Sequence, residues 1–254
     1  MTRISISIPI LFILSGLFAP VASADSVRQL MRRGEALESQ LRSEEALKVF
    51  QEAERQKPDN VKVLCKIAKQ YSDLINDVHT PAEQKVRAQL ALAYSKRAVA
   101  LDPNESDANL VMAVSYCKLT PYITTRERVL LCDDIKNYAE RAIALDPKSD
   151  YAYHLLGRWH QEVARISPLE KTIGQALYGK IPDASLDDAL ALLDKARKLR
   201  PDRLIHQLEY GRTLVMMGRV EEGRREINKG LAMPNREKDD PESKDRARRT
   251  LASV

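Results

Sequence analysis

The sequence predicts an all-α solenoid: about five stacked helical hairpins with lengthened turns, closed by a C-terminal capping helix. Three observations carry that expectation. Ala, Leu, Glu, Lys and Arg dominate a 254-residue chain with only 9 Gly and 5% aromatics, which favours helices over β-rich folds. Small residues recur in register with large apolar ones and a terminating proline, at an interval of about 34 residues. In three of the intervals the second helix starts later than a tight hairpin turn would place it.

The first interval, Val27 to Asn60, has Leu30, Gly34 and Leu37 on one helix and Ala46, Phe50, Ala53 and Pro58 on the next. Small residues are needed where paired helices cross closely, large apolar ones fill the space beside them, and proline stops the hairpin. This is the tetratricopeptide (TPR) pattern. The second unit opens with Leu64, Ile67, Ala68 and Tyr71; its second helix waits for the capping box Thr80-Pro81-Ala82-Glu83. The third unit has Met112, Ala113 and Tyr116, then Ile135, Ala139 and Ala142, with Pro121 and Thr124-Thr125 in a lengthened turn.

The fourth unit, Tyr151 to Pro201, holds an insertion between Gly157 on its first helix and Ala189, Leu193 and Ala196 on its second. Ser167-Pro168-Leu169-Glu170 is a further capping box, Leu169, Ile173, Ala176 and Leu177 share one helical face, and Gly179 is a natural C-cap. An amphipathic helix over about 168–178, covering part of the array or walling its groove, is expected. The fifth unit has a standard turn at Met217-Gly218-Arg219, with Gly211, Gly223 and Gly230 in place. Stacked hairpins bury faces that none could bury alone, so one continuous array over 25–240 is expected, capped by a charged helix over 241–254.

The N-terminus follows other rules. Arg3, an apolar run from Ile4 to Phe18, and Ala22-Ser23-Ala24 read as a secretory signal peptide over 1–24, cleaved after Ala24. A retained anchor is the alternative, disfavoured by a short run containing Pro9, Ser15 and Gly16. Export, most simply to a periplasm, is therefore expected. Cys117 and Cys132 then face an oxidising compartment and could bridge, or could, with Cys65, be small buried apolar residues.

The 41 basic and 36 acidic residues are interleaved, giving a net charge of +5 without a nucleic-acid footprint. The basic run Arg246 to Arg249 reads as a solvated face. His154 and His160 lie on different faces, so no metal site is expected. Asp187 and Asp188 fall in the first turn of a helix, where the dipole explains them. Trp159, beside Gly157, is expected to pack rather than to recognise a ligand. No nucleophile motif or phosphate loop occurs, so neither a catalytic residue, a cofactor nor a small-molecule substrate is expected.

From Asn60 onward the strings HLLGRW, ISPLEKTIGQALYG and DALALLDKARKLRPD, with the lengthened turns, resemble the regulator of microtubule dynamics family. The matching positions are His154 to Trp159, Leu169 to Lys171, Ala176, Leu177, Gly179, and Asp188 to Leu190. The resemblance implies a helical, non-enzymatic protein. Eukaryotic members are tied to microtubules or mitochondrial membranes, and one tethers endoplasmic reticulum to mitochondria through a domain held to bind and transfer phospholipid. What the resemblance carries to this chain is the TPR body and its groove.

In a TPR array the first helix of each unit lines the concave groove. By register the lining includes Lys69, Leu110, Val114, His154, Arg158, Glu162, Leu208, Arg212 and Val215. An apolar strip dotted with Lys69, Arg158 and Arg212 could hold an amphipathic peptide, or an acyl chain beside an anionic headgroup. The same residues could instead only pack against neighbouring helices. A clamp for C-terminal carboxylates is absent, since the first unit offers Arg28, Met31, Glu35 and Glu38. The expected function is a non-enzymatic, exported scaffold binding a protein or peptide segment, with phospholipid binding or transfer in the cell envelope as the alternative.

Overall fold

Helix α1 (Val27–Ser39) begins at Ser26, whose hydroxyl accepts from the Gln29 amide while Gln29 returns a bond to the Ser26 amide, a complete capping box. It pairs with α2 (Ser43–Gln56) across a tight turn in which Leu41 takes φ 60°. Phe50 fills the space left by Gly34: a Cβ on Gly34 would stand 2.3 Å from the ring. The computed structural model describes residues 26–179 and 181–254, so the expected signal peptide lies outside the described residues. Among those residues every element is helical.

The two lengthened turns are structured. Helix α3 (Val61–Asp73) continues into a 3-10 turn, Leu74–Asp77, whose Leu74 and Ile75 are buried, Leu74 in the first core cluster. Helix α4 (Pro81–Leu101) then starts at the Thr80–Glu83 capping box. Likewise α5 (Ser106–Leu119) runs into a 3-10 turn, Thr120–Tyr122, before α6 (Thr125–Leu145). Thr124, read from sequence as part of the turn, is the N-cap of α6, with Glu127 closing a third capping box.

The fourth unit pairs α7 (Asp150–Ala164) with α9 (Leu186–Leu199). A Cβ at Gly157 would lie 2.8 Å from Leu193 Cγ and 3.3 Å from the Ala189 carbonyl, which is why the crossing needs glycine. Trp159 is packed in this core, its indole N–H donating to the Cys132 carbonyl at 3.0 Å. The inserted helix α8 (Pro168–Tyr178) forms with the expected Ser167 cap and with Gly179 at φ 108° after it. It neither walls the groove nor buries its apolar face. Its Gly174 lies over Ile181, the buried residue that anchors the following loop, and its framework contact is with α6. Leu169, Ile173 and Leu177 remain 70%, 49% and 64% exposed.

The fifth unit pairs α10 (Leu204–Met216) with α11 (Val220–Ala232), and α12 (Asp240–Ala252) lies against both. Ala247 and Leu251 of α12 cover Leu204, Leu208 and Ile227, so the charged last helix caps the apolar end of the array. Cys65, Cys117 and Cys132 are free thiols; the last two pack into one apolar cluster, and burial pushes the Cys117 thiol up to about 11.

Candidate binding groove

First helices of the second, third and fourth units turn their inner faces to a groove of about 330 Å³. Lys69 and Ser72 come from α3, Leu110, Val114 and Lys118 from α5, and Tyr151 from α7, with Arg203 and Ile205 opposite. Further wall comes from the connection between α6 and α7, at Asp146, Lys148 and Ser149, and from Glu237 to Asp239 of an irregular strap, residues 233–239, between α11 and α12. The floor is apolar at Leu110, Val114 and Ile205 and charged at its edges. Lys69 bonds Glu38 at 2.8 Å and Asp73 at 2.7 Å, and Lys118 bonds Asp239 of the strap at 2.8 Å. Burial pushes the Tyr151 hydroxyl up to about 12, with the Asp239 carboxylate adding to it.

Beyond this opening the concave face is filled by side chains. Glu209 on α10 has no exposed surface and meets three guanidinium groups: Arg158 at 3.4 Å, Arg212 at 2.5 Å and Arg246 of α12 at 3.0 Å. Burial alone would raise its carboxyl. The Arg158, Arg212 and Arg246 charges outweigh that and hold it far below the usual carboxylate range. Gln161 stitches the same helices, its amide donating to the Glu209 carbonyl at 3.1 Å and the Thr213 hydroxyl at 2.6 Å.

A second polar chain runs beside it. His154 and His206 face each other with their Nδ1 atoms 3.0 Å apart, and His206 Nε2 lies 2.7 Å from Asp150 Oδ2. With Asp150 ionised, His206 donates from Nε2, so in the neutral pair its Nδ1 accepts from His154 Nδ1–H. Arg203 bonds the same Asp150 oxygen at 2.6 Å and Glu237 of the strap at 2.8 Å. Burial lowers the pKa of both imidazoles; each His or Arg cation nearby adds to the effect, and Asp150 opposes it for His206.

The sequence-derived lining thus divides into three. Lys69, Leu110 and Val114 line the open groove. His154, Arg158 and Arg212 face inward, but each is already engaged, and Arg212 also donates to Thr250 of α12 at 3.0 Å. Glu162 sits at the edge, 3.6 Å from Arg158 and half-exposed. Leu208 and Val215 are not groove residues. Their side chains fill the hairpin interior, at Gly230 and Gly223 of α11 respectively, because α10 must close on glycines there. Sequence reasoning missed Glu209, His206, Asp150, Arg203, Lys118 and the strap. Only the alternating signs of Arg236-Glu237-Lys238-Asp239 hinted at the last.

Paired helices in register, stacking through their first helices around a concave face, define a TPR-like α-solenoid. A protein of known structure from Thermus thermophilus, the TPR protein TTC0263, superposes with a TM-score of 0.63 at 19% identity, covering 89% of this chain and all of that one. Pseudomonas aeruginosa pilF gives 0.54 at 12% identity over 89% and 87% of the two chains. These show the fold. The chain belongs to the regulator of microtubule dynamics protein 1-3 family, whose model matches residues 30–254. It is 24% identical to mouse regulator of microtubule dynamics protein 2 over 77% of this chain and 48% of that one. It is 23% identical to regulator of microtubule dynamics protein 1 of Caenorhabditis elegans, over 76% and 86%. The chain thus spans about half the length of the mouse protein.

Proposed function

We propose that the protein is a non-enzymatic scaffold that binds a segment of another protein in its concave groove. The observation that carries this reading is the open volume of about 330 Å³ between α3, α5 and α7, with an apolar floor and charged edges. The relatives' names refer to microtubule dynamics; what is transferred here is the groove as a protein-binding surface. A photo-crosslinking residue at Val114 should join to a discrete partner, whereas one at Lys96, exposed on the outer helix α4, should not. Equal labelling from both positions would sink the reading.

Residues 4–18 and the Ala22-Ser23-Ala24 site support export, so the scaffold acts outside the cytosol. The mass of the mature protein tests this: a chain beginning at Asp25 supports it, and an intact Met1 on a cytosolic protein refutes it.

The second reading, phospholipid binding, is favoured by α8. Its Leu169, Ile173 and Leu177 form an apolar stripe left open to solvent. Native mass spectrometry of the purified protein decides: co-purifying phospholipid supports it, and a clean apo mass with no lipid exchange between vesicles removes it.

A further inference from the structure

The strap between α11 and α12 crosses the groove in a specific way. Four consecutive residues alternate in sign, and each finds one opposite charge on the array. Arg236 lies 3.0 Å from Asp202, Glu237 2.8 Å from Arg203, Lys238 2.9 Å from Asp77 and Asp239 2.8 Å from Lys118. The array partners belong to the second, third and fifth units, so one short stretch spans separate hairpins. Asn76 adds a bond to Glu242 at 3.0 Å, just inside α12.

The strap is pre-shaped, and side chains hold it to the array. Asp240 accepts the amides of Arg236 and Glu237 at 2.7 and 2.8 Å, and Lys244 caps the Met233 carbonyl. Its array contacts, by contrast, are side-chain ion pairs: Arg236–Asp202 and Lys238–Asp77 are open to solvent, whereas Glu237–Arg203 and Asp239–Lys118 are mostly buried. The two open pairs contribute little each and are screened by salt; the two mostly buried ones hold only while both partners stay in place. Asp239 Oδ1 is buried with no hydrogen-bond partner among the described residues, so the fit is incomplete on the groove side.

We infer that the strap is an internal stand-in for the groove's ligand, and that the ligand is an extended peptide segment of alternating charge that takes its place. Arg203, Asp77 and Lys118 read the order acid, base, acid along the segment. The apolar floor at Leu110 and Val114 lines the same groove. Because the strap competes from within the same chain, the groove binds such a segment weakly until the strap lifts. This rests on the protein-binding reading above and names the partner's chemistry and its control.

The test uses the full chain and a fluorescein-labelled peptide of residues 233–242, with a second peptide whose four central charges are reversed. One protein carries a neutralised strap (Arg236→Gln, Glu237→Gln, Lys238→Gln, Asp239→Asn); a milder one carries Glu237→Gln alone. The neutralised protein should bind the native peptide at least about tenfold more tightly than wild type. The single variant should fall between, and the reversed peptide should not bind. Adding Lys118→Glu to the neutralised protein should abolish binding. If neutralisation only lowers the melting temperature and peptide affinity does not rise in either variant, the strap is a structural staple and the inference fails. If Val114 crosslinks a partner but no variant binds the peptide, the groove reading stands and this inference falls.

Discussion

Glu209 on α10 and Arg246 on α12 bond at 3.0 Å, and the carboxylate has no exposed surface although it lies on the concave side of the array. Arg158 and Arg212 converge on the same carboxylate, so one buried anion neutralises part of a partly buried cluster of three cations. Removing the charge leaves Arg158 and Arg246 with only their half-exposed partners Glu162 and Glu242, and leaves Arg212 beside two other cations. Glu209→Gln, nearly the same size, should therefore destabilise the protein by about 3–5 kcal/mol, as breaking a buried ion pair does. Urea unfolding checks it. A loss below about 1 kcal/mol would show the cluster to be well hydrated.

The paired imidazoles of His154 and His206 make stability fall with acid. Both have pKa values lowered from the ordinary 6.5, by burial first. Below 6.5 the unfolded chain takes up protons that the folded pair refuses, so stability rises with pH across that window and is lost as pH falls through it. Glu209 adds to the same trend lower down. Its folded value lies below the ordinary 4.5, so its contribution is complete above 4.5 and lost as pH falls beneath it. The melting temperature should drop between about pH 7.5 and 5.5, the histidine range. In His154→Gln, which keeps a donor for His206, the drop should shrink. Equal drops in both proteins would assign it elsewhere.

Gly211 and Gly223 let α10 and α11 touch along their backbones. A Cβ on Gly223 would stand 2.7 Å from the Gly211 carbonyl oxygen and 2.9 Å from the Val215 nitrogen. Neither atom can swing aside as a side-chain tip could. Gly223→Ala should cost about 1–3 kcal/mol through overpacking, seen as a lower urea midpoint at unchanged slope. An unchanged midpoint would mean that the two helices part freely.

These glycines show why the architecture was legible in the sequence. Gly34 under Phe50, Gly157 under Leu193 and Gly223 beside Val215 are local consequences of hairpin geometry, and so are the caps at Thr80 and Ser167. Each needs only residues close in sequence or one repeat away. The groove was less legible. Lys69, Leu110 and Val114 follow register, but the fate of Arg158 depends on Glu209, 51 residues on, and that of Lys118 on Asp239, 121 residues on. Register says which face a residue occupies and nothing of what later chain will cover that face. Leu208 and Val215 failed for a different reason: in the fifth unit glycines on α11 draw α10 so close that these side chains turn into the hairpin.

Helix α8 separates stability from contact. Leu169, Ile173 and Leu177 occupy successive turns of one face and stay 49% to 70% exposed, while Gly174 and Ile181 provide the packing. Replacing all three by Ser removes apolar surface that the fold does not bury. The unfolding free energy should change by no more than about 0.5 kcal/mol per site, the range for surface substitutions. Binding to vesicles should respond differently, because an interfacial helix gains in proportion to the apolar area it buries there. If the wild-type protein sediments with phospholipid vesicles, the triple Ser variant should stay in solution with its melting temperature lowered by no more than about 5 °C. A variant that melts many degrees lower would show instead that α8 packs its apolar face against the array.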